Sequence, residues 1–540
     1  MTTLEKNSIR RVTVEGYSSE GLGIARIDGC VVFLHGAVAG ELCDVRIEKV
    51  LKNCAYGRVV EIAEPSPHRR EPDCPWFEKC GGCDFRHLDY GEELRAKRQR
   101  VQDALSRLGG SDVAVEEIHG AAQPLRYRNK SQYPVSADGT IGFYRARSHD
   151  VVPVERCLIQ HPAADAAAGA VGAWLRRFRI PAYDERRHQG LVRHVYVRVN
   201  QVGESLCCLL VNGERLPRET ELVEMIRAAV PETVGVVLGV NTRKGNVILG
   251  DRYRTLWGQD YLIDSLCGFR FKLSVPSFYQ VNRDQAEVLY GKALEFAGLT
   301  GRETVLDLYC GIGTITLCLA SRAGRAIGGE IVSSAIEDAR ENAARNGIEN
   351  VEFVCGDAGA IASRLEAEGL RPDVVTVDPP RKGLSPEVVH TIVSMGPKRV
   401  VYVSCDPGTL GRDVKRFREL GYRAVRAAAV DLFPGTAHVE TVVLLSKLNA
   451  KQHIEIDLSM DELDLTDAEK KATYQEIKDY VLEHSGLKVS SLYIAQVKQQ
   501  CGIIERENYN KPKSEDAKQP QCPSDKEKAI KEALRYFGMI

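Results

Sequence analysis

Three patterns of apolar and polar positions follow one another along the chain. From residue 1 to 63, short alternating runs recur: CVVFL (30–34), CDVRIEKV (43–50) and YGRVVEI (56–62). Turn residues separate them at EGLG (20–23), DG (28–29) and AVAGE (37–41). Alternation at this close spacing predicts a small β-barrel. Between 266 and 448 the rhythm changes. Apolar strands alternate with helical stretches: TVLDLYC (304–310), RAIGGEI (325–331), VEFVCGD (351–357), DVVTVDPP (373–380), RVVYVSC (399–405) and HVETVVLLSKL (438–448). That β-α-β order predicts a mostly parallel sheet with helices on both faces.

The region between them, 64–265, reads as a central mixed α+β domain. It opens with a Pro- and Cys-rich segment (64–85) and a basic helix over 90–108, which ends at Gly109-Gly110 and is placed to pack on the catalytic domain. Strand-like runs follow at HVYVRVN (194–200) and SLCCLLVN (205–212). Residues 449–540 read as a helical appendage. Capping boxes stand at Thr466–Glu469 and Ser524–Glu527, two short helices at 474–486 and 490–502, and a polar loop at 510–521. Its pattern suits either a helix–turn–helix contact or an inert addition. The fold class expected is thus multidomain α/β.

Composition narrows the partners. The net charge of −1 gives no global attraction to nucleic acid, so any such binding must use local basic patches. These occur at RAKRQR (95–100), LRYRNKSQ (125–132) and GFYRARSH (142–149). Arginine beside tyrosine suits phosphate contact and base stacking in RNA. There is no signal-peptide pattern at the N-terminus and no apolar run of membrane-spanning length, so a cytoplasmic protein without membrane contact is expected. Sixteen cysteines are many for a reducing compartment, which points to metal binding or chemistry for some of them. Cys74, Cys80 and Cys83, with the remote Cys157, can hold zinc or an iron–sulfur cluster, and spacing does not choose. Cys207, Cys208, Cys310 and Cys355 lie in apolar runs and read as core.

The catalytic motifs sit at strand ends. Asp307-x-x-x-Gly311-x-Gly313 joins a strand to a helix, where glycine lets a ligand approach and free N–H groups are offered. Glu330 ends the next strand, where an acid receives ribose hydroxyls, and Asp357 ends the third, within reach of an adenine amino group. The short Gly-Ile-Gly spacing suits S-adenosylmethionine better than a nicotinamide cofactor. DPPRKG (378–383) has Arg381 where amino-group methyltransferases carry an aromatic, and no cysteine where cytosine-5 enzymes carry one. Cys405 then stands where a buried strand stops, the position of a nucleophile rather than of a core thiol.

The Gly-loop, DPPRKG, SCDPGTL (404–410) and HVET (438–441) together resemble the RNA uracil-5-methyltransferase family, and within it the bacterial 23S ribosomal RNA enzymes that carry a TRAM domain and a 4Fe–4S cluster. The resemblance covers about residues 1–448. It implies a TRAM barrel, similar to an oligonucleotide-binding fold, over 1–63, and an S-adenosylmethionine-dependent domain over 266–448. It implies Cys405 as the nucleophile, Glu440 as the base, and Gln280, Tyr309, Gly311, Gly313, Glu330, Asp357 and Asp378 around the cofactor. Asp378 faces the target base or the cofactor beside it. It tips Cys74, Cys80, Cys83 and Cys157 toward the 4Fe–4S cluster, in a structural role. The expected substrate is a uridine of 23S rRNA, or the T-loop uridine of tRNA, and not DNA. Thr314 and Asp406 replace the asparagines common in relatives, which puts their hydrogen bonds in question.

Overall fold

The computed structural model describes residues 4–448, 474–501 and 522–537. The chain divides into two compact units, 1–450 and 451–540.

The first unit opens with a six-stranded sheet built from Ile9–Thr13, Gly16–Tyr17, Gly23–Ile27, Cys30–His35, Leu42–Val50 and Cys54–Glu64, in the order 1-5-6-4-3-2. The alternation seen in the sequence is its cause. In Leu42–Val50, Cys43, Val45 and Ile47 turn inward against Val32 and Leu34 while their neighbours face water.

The central sheet has the order Arg252–Gly258, Thr233–Val240, Ser205–Val211, Val192–Val199, Lys130–Pro134. Helices Pro162–Phe178 and Glu219–Ala229 cover one face through Val171, Trp174, Leu222 and Ile226. The other face, with Tyr196, Leu206, Cys208 and Leu210, shares one core with the catalytic part. Cys207 and Cys208 are buried, one on each face.

The catalytic sheet has eight strands in the order Val351–Cys355, Arg325–Glu330, Thr304–Leu308, Val374–Val377, Arg399–Ser404, Glu440–Lys447, Tyr422–Val430, Val115–His119. The first five are parallel, and Glu440–Lys447 runs against both its neighbours. Strand order reverses beside Thr304–Leu308, the switch point at which ligands bind in such sheets. The eighth strand comes from the stretch read as central and pairs parallel with Tyr422–Val430. Its five residues carry too weak an alternation to reveal this partner. Cys355 is exposed, against the core reading, because Val351–Cys355 is the sheet's edge strand.

The basic helix spans Tyr90–Asp103 and continues as a π-helical turn, Ala104–Leu108. It is clamped to the catalytic part by Lys97, 1% exposed, whose ammonium lies 2.6 Å from both Glu93 and Asp431. Lys97 therefore does not belong to an RNA-facing patch.

The second unit's described helices, Tyr474–Ser485, Ser491–Gln500 and Ser524–Tyr536, enclose Ile477, Val481, Ile494, Val497, Ile530 and Leu534. Ser490 caps the second helix by accepting from the Tyr493 N–H. The third is preceded by Pro523 and has no side-chain cap, so the box expected at Ser524–Glu527 does not form. Thr466–Glu469 and the polar loop at 510–521 lie outside the described residues. No helix among the described residues is long and apolar enough to cross a membrane.

Candidate active site

The carboxyl ends of the catalytic strands surround a cavity of about 680 Å³. Each strand delivers one group. Asp378 directly follows Val374–Val377, Cys405 directly follows Arg399–Ser404, and Glu330 ends Arg325–Glu330. Glu440 arrives differently. Its strand is antiparallel, so its first residue, not its last, lies at this edge, and the pairing of Ser404 with Thr441 puts it beside Cys405. All four line the cavity, together with Gln280, Tyr309, Gly311 and Asp357.

Gly313 does not lie on the wall. It has φ +85° at the start of helix Thr314–Ala320, and an added Cβ would stand 3.1 Å from the Phe353 ring. Its part is the tight turn and the close packing beneath the loop. Tyr309, although not a glycine, also holds a left-handed φ of +69°. Asp307 is fully buried under this loop and accepts from the Thr316 hydroxyl at 2.6 Å, which ties the helix to the strand. Burial pushes its carboxyl up to about 7.

Glu330 accepts from the Gly311 N–H at 3.2 Å and from the Val332 N–H at 3.0 Å, so its carboxylate is held fixed at the rim. Asp357 uses one oxygen to cap helix Ala358–Ala367, accepting from Gly359 and Ala360. Both replaced positions are hydrogen-bonded here. Asp406 caps helix Pro407–Glu419 by accepting from the Thr409 N–H at 2.9 Å, a task asparagine and aspartate share. The Thr314 hydroxyl pairs with that of Tyr290 at 3.2 Å.

The electrostatics of the cavity centre are set by burial. Asp378 is pushed up to about 7 by desolvation. Glu440 rises to about 8, through desolvation and then the charge of Asp378, while Arg381 opposes the rise. The Cys405 thiol rises to about 11, through desolvation and then Glu440 and Asp378, again opposed by Arg381. The two carboxyls titrate as a pair near neutrality, a state in which one can hold a proton while the other accepts one. Arg381, Phe433 and His438 complete the wall. Arg381 Nη2 lies 3.4 Å from His438 Nε2. Sequence reasoning used Arg381 only to exclude an aromatic and passed over His438, although both lie within quoted motifs.

A second cleft, of about 510 Å³, reaches Cys405 from outside. Its walls are Ser19 and Glu20 of the N-terminal sheet, Arg100 and Arg107 of the basic helix, and Arg381 and His438 again. Cys405 thus stands where two openings meet.

The residues matched by known families follow this division. The TRAM domain family matches residues 4–60, and the tRNA (uracil-5-)-methyltransferase family matches residues 252–448. An uncharacterized RNA methyltransferase of Halalkalibacterium halodurans is 44% identical over 451 residues, 83% of this chain and 98% of that protein. The chain belongs to the RNA uracil-5-methyltransferase family. It is an S-adenosylmethionine-dependent RNA methyltransferase. A second uncharacterized RNA methyltransferase, from Clostridium tetani, is 42% identical over 453 residues, 83% of this chain and 98% of that protein. Among solved structures, the Pyrococcus abyssi tRNA (uracil-54, C5)-methyltransferase in complex with S-adenosyl-L-homocysteine aligns with a TM-score of 0.66 at 26% identity, over 81% of this chain and 99% of that one.

Away from the methyltransferase cavity, Cys74, Cys80, Cys83 and Cys157 line one small cavity of about 40 Å³ with Trp76, Phe77 and Phe143. Burial raises the thiols of Cys80, Cys83 and Cys157. The Cys157 N–H donates to Asp165 at 3.1 Å, and Cys80 bridges to Arg145, so the loop is docked on the central domain. Among the described residues no group of three or more His, Cys, Asp or Glu side chains is placed to hold a metal ion.

Proposed function

We propose that this methyltransferase modifies carbon-5 of one uridine in 23S ribosomal RNA through a covalent bond between Cys405 and carbon-6 of that base. The observation that carries the reading is the meeting of Cys405, Glu440 and Asp378 on one cavity wall beside the cofactor loop. Carbon-5 of uracil is a poor nucleophile. Addition of the Cys405 thiolate to carbon-6 moves the double-bond electrons toward the carbon-4 carbonyl oxygen, giving an enolate in which carbon-5 is electron-rich. Gln280, Tyr309, Gly311, Glu330 and Asp357 would hold S-adenosylmethionine, which when bound would supply the electrophilic methyl group to carbon-5 and leave as S-adenosylhomocysteine. Glu440 then takes the carbon-5 proton, the double bond re-forms, and Cys405 leaves as thiolate. Asp378 orients the base by hydrogen bonding, and Arg381 favours the anionic forms of Cys405 and Glu440.

The base must leave its stack to reach Cys405, which favours an unpaired loop nucleotide. The cleft between the TRAM domain and the basic helix suits the strand that carries it. The reading places the enzyme in the cytoplasm. Cys74, Cys80, Cys83 and Cys157 fit a structural 4Fe–4S cluster, since all four face one apolar cavity and the cluster would tie their loop to the central domain. A second reading keeps the chemistry and moves it to the T-loop uridine of transfer RNA. The likeness to the Pyrococcus abyssi enzyme favours it.

The test uses anaerobically purified protein, S-adenosylmethionine, and ribosomal and transfer RNA containing 5-fluorouracil. Fluorine does not leave as a proton does, so turnover strands the protein on the RNA. A covalent adduct is expected with wild type and none with Cys405→Ala, and the RNA that traps the protein names the substrate. Methylation surviving in Cys405→Ala within about tenfold of wild type would overturn the covalent mechanism.

A further inference from the structure

The face of the central sheet turned toward the catalytic part carries two cations, and a third stands just before its edge strand Lys130–Pro134. Lys130 and Arg198 are direct partners in the antiparallel pairing of Lys130–Pro134 with Val192–Val199. Directly opposed residues share one face, and like charges there repel. Arg128, two residues before Lys130, is close enough to act as a second like charge.

Arg198 is only 1% exposed. Its Nη2 donates to the Ser277 carbonyl, while its Nε and Nη1 have no partner. The hydroxyl of Tyr196, on the same face, has none either, and neither has Arg128 Nε. Lys130 Nζ stands 5.6 Å over the Phe278 ring. Burial, Arg198 and Arg128 together push its ammonium down to about 7, and no carboxylate acts against them. Elsewhere the chain handles a buried cation differently: Lys97 has carboxylates at 2.6 Å on two sides. Unpaired charge in a poorly solvated place is expensive, so a fold that gathers three cations here is built for a counter-charge it does not itself provide.

The place says which anion. Phe278, against which Lys130 packs, is 64% exposed and lines the reaction cavity. Arg128 lines another cavity, of about 370 Å³, with Arg126, His161 and Arg283 and with the carboxylates of Asp264 and Asp284, whereas Lys130 and Arg198 stand outside it. A base swung out of its stack turns about its own backbone, so the phosphates on either side of it come to rest at the mouth of the pocket that takes the base. We propose that Arg128, Lys130 and Arg198 form a site for a backbone phosphate of the substrate RNA next to the target uridine. The proposal rests on the methylation reading above. Lys130 and Arg128 touch the phosphate. Arg198, sealed behind them, is a positioning residue that adds its charge.

The experiment uses the full chain with Lys130→Gln and Lys130→Arg. Binding to transcripts of 23S ribosomal RNA and of transfer RNA is measured over a salt series, S-adenosylmethionine binding by calorimetry, and Tm on free protein. With the RNA that traps wild type, Lys130→Gln is expected to bind roughly tenfold more weakly at fixed salt, and the slope of log K against log salt is expected to fall by about one. Lys130→Arg should restore both. Cofactor affinity should not move, and Tm should rise, because a repulsion has been removed from the free protein. Unchanged RNA affinity and slope would overturn the site. So would a loss confined to cofactor binding, which would assign the cations to the cofactor's carboxylate. If wild type makes no adduct with either RNA, the methylation reading fails. If wild type makes it and Lys130→Gln still binds as tightly, only the phosphate site fails.

Discussion

At the scale of single residues, the packing around Cys405 works against the nucleophilic role proposed for it, in which Cys405 and Glu440 both act. Burial and two carboxyls raise the Cys405 thiol to about 11, and Glu440 stands at about 8. Both groups act in their deprotonated forms, so kcat/KM of the free enzyme rises with pH through the weakly alkaline range. Arg381 is the cation that opposes both shifts. Replacing it with glutamine takes away that opposition and moves both groups further up. In Arg381→Gln the rising limb should lie about one pH unit or more to the alkaline side, with activity near pH 7 reduced about tenfold or more. A pH–rate profile of the two proteins checks this, and coincident limbs would remove Arg381 from the electrostatics. This effect was out of reach of the sequence. DPPRKG shows an arginine, but only the fold brings it beside a thiol twenty-four residues later.

At the scale of elements, two helices meet without room for side chains. Gly411 lies inside helix Pro407–Glu419, where helix propensity favours alanine by about 0.5–1 kcal/mol. Its missing Cβ faces the Ala104 carbonyl of the π-helical turn, which an alanine would approach to 2.5 Å. The obstacle is backbone, which does not step aside, so the clash outweighs the propensity. Gly411→Ala should lower stability by about 1–3 kcal/mol, read as a fall in denaturation midpoint. A rise instead would show that the helix pair yields. The same contact explains the basic helix. The sequence reading set a helix over 90–108 against the catalytic domain, and the contact is made by this close approach together with the buried Lys97 pair.

At the scale of the whole molecule, the reaction site is assembled from distant parts. The TRAM domain and the basic helix wall the outer cleft, the catalytic strands wall the inner cavity, and one core joins the central and catalytic sheets. The loop that carries Cys74, Cys80 and Cys83 meets Cys157 at one small cavity and is docked on the central domain. With a cluster there, anaerobically purified protein should contain iron and acid-labile sulfide in near-equal amounts. Cys157→Ser should lose most of both and open the loop 64–89 to protease. Stoichiometric zinc in place of iron would correct the metal, and loss of neither metal nor protection in the variant would remove Cys157 from the site.

The sequence by itself determined the strand and helix rhythm, the glycine turn, and the presence of Cys405, Glu440 and Asp378 at element ends, because alternation and turn chemistry are local properties. Which groups touch was decided by tertiary structure. An antiparallel strand brings Glu440 to the edge that parallel strands give to Cys405 and Asp378, and sheet order alone sets that. Cys355 shows the same dependence: its apolar run looks like core, yet it ends an edge strand and is exposed. Lys97 shows the reverse, a basic residue in a basic run that the fold buries between two carboxylates. Burial, and with it every shifted proton affinity at this site, is a property of packing between segments far apart in the chain, and no local pattern carries it.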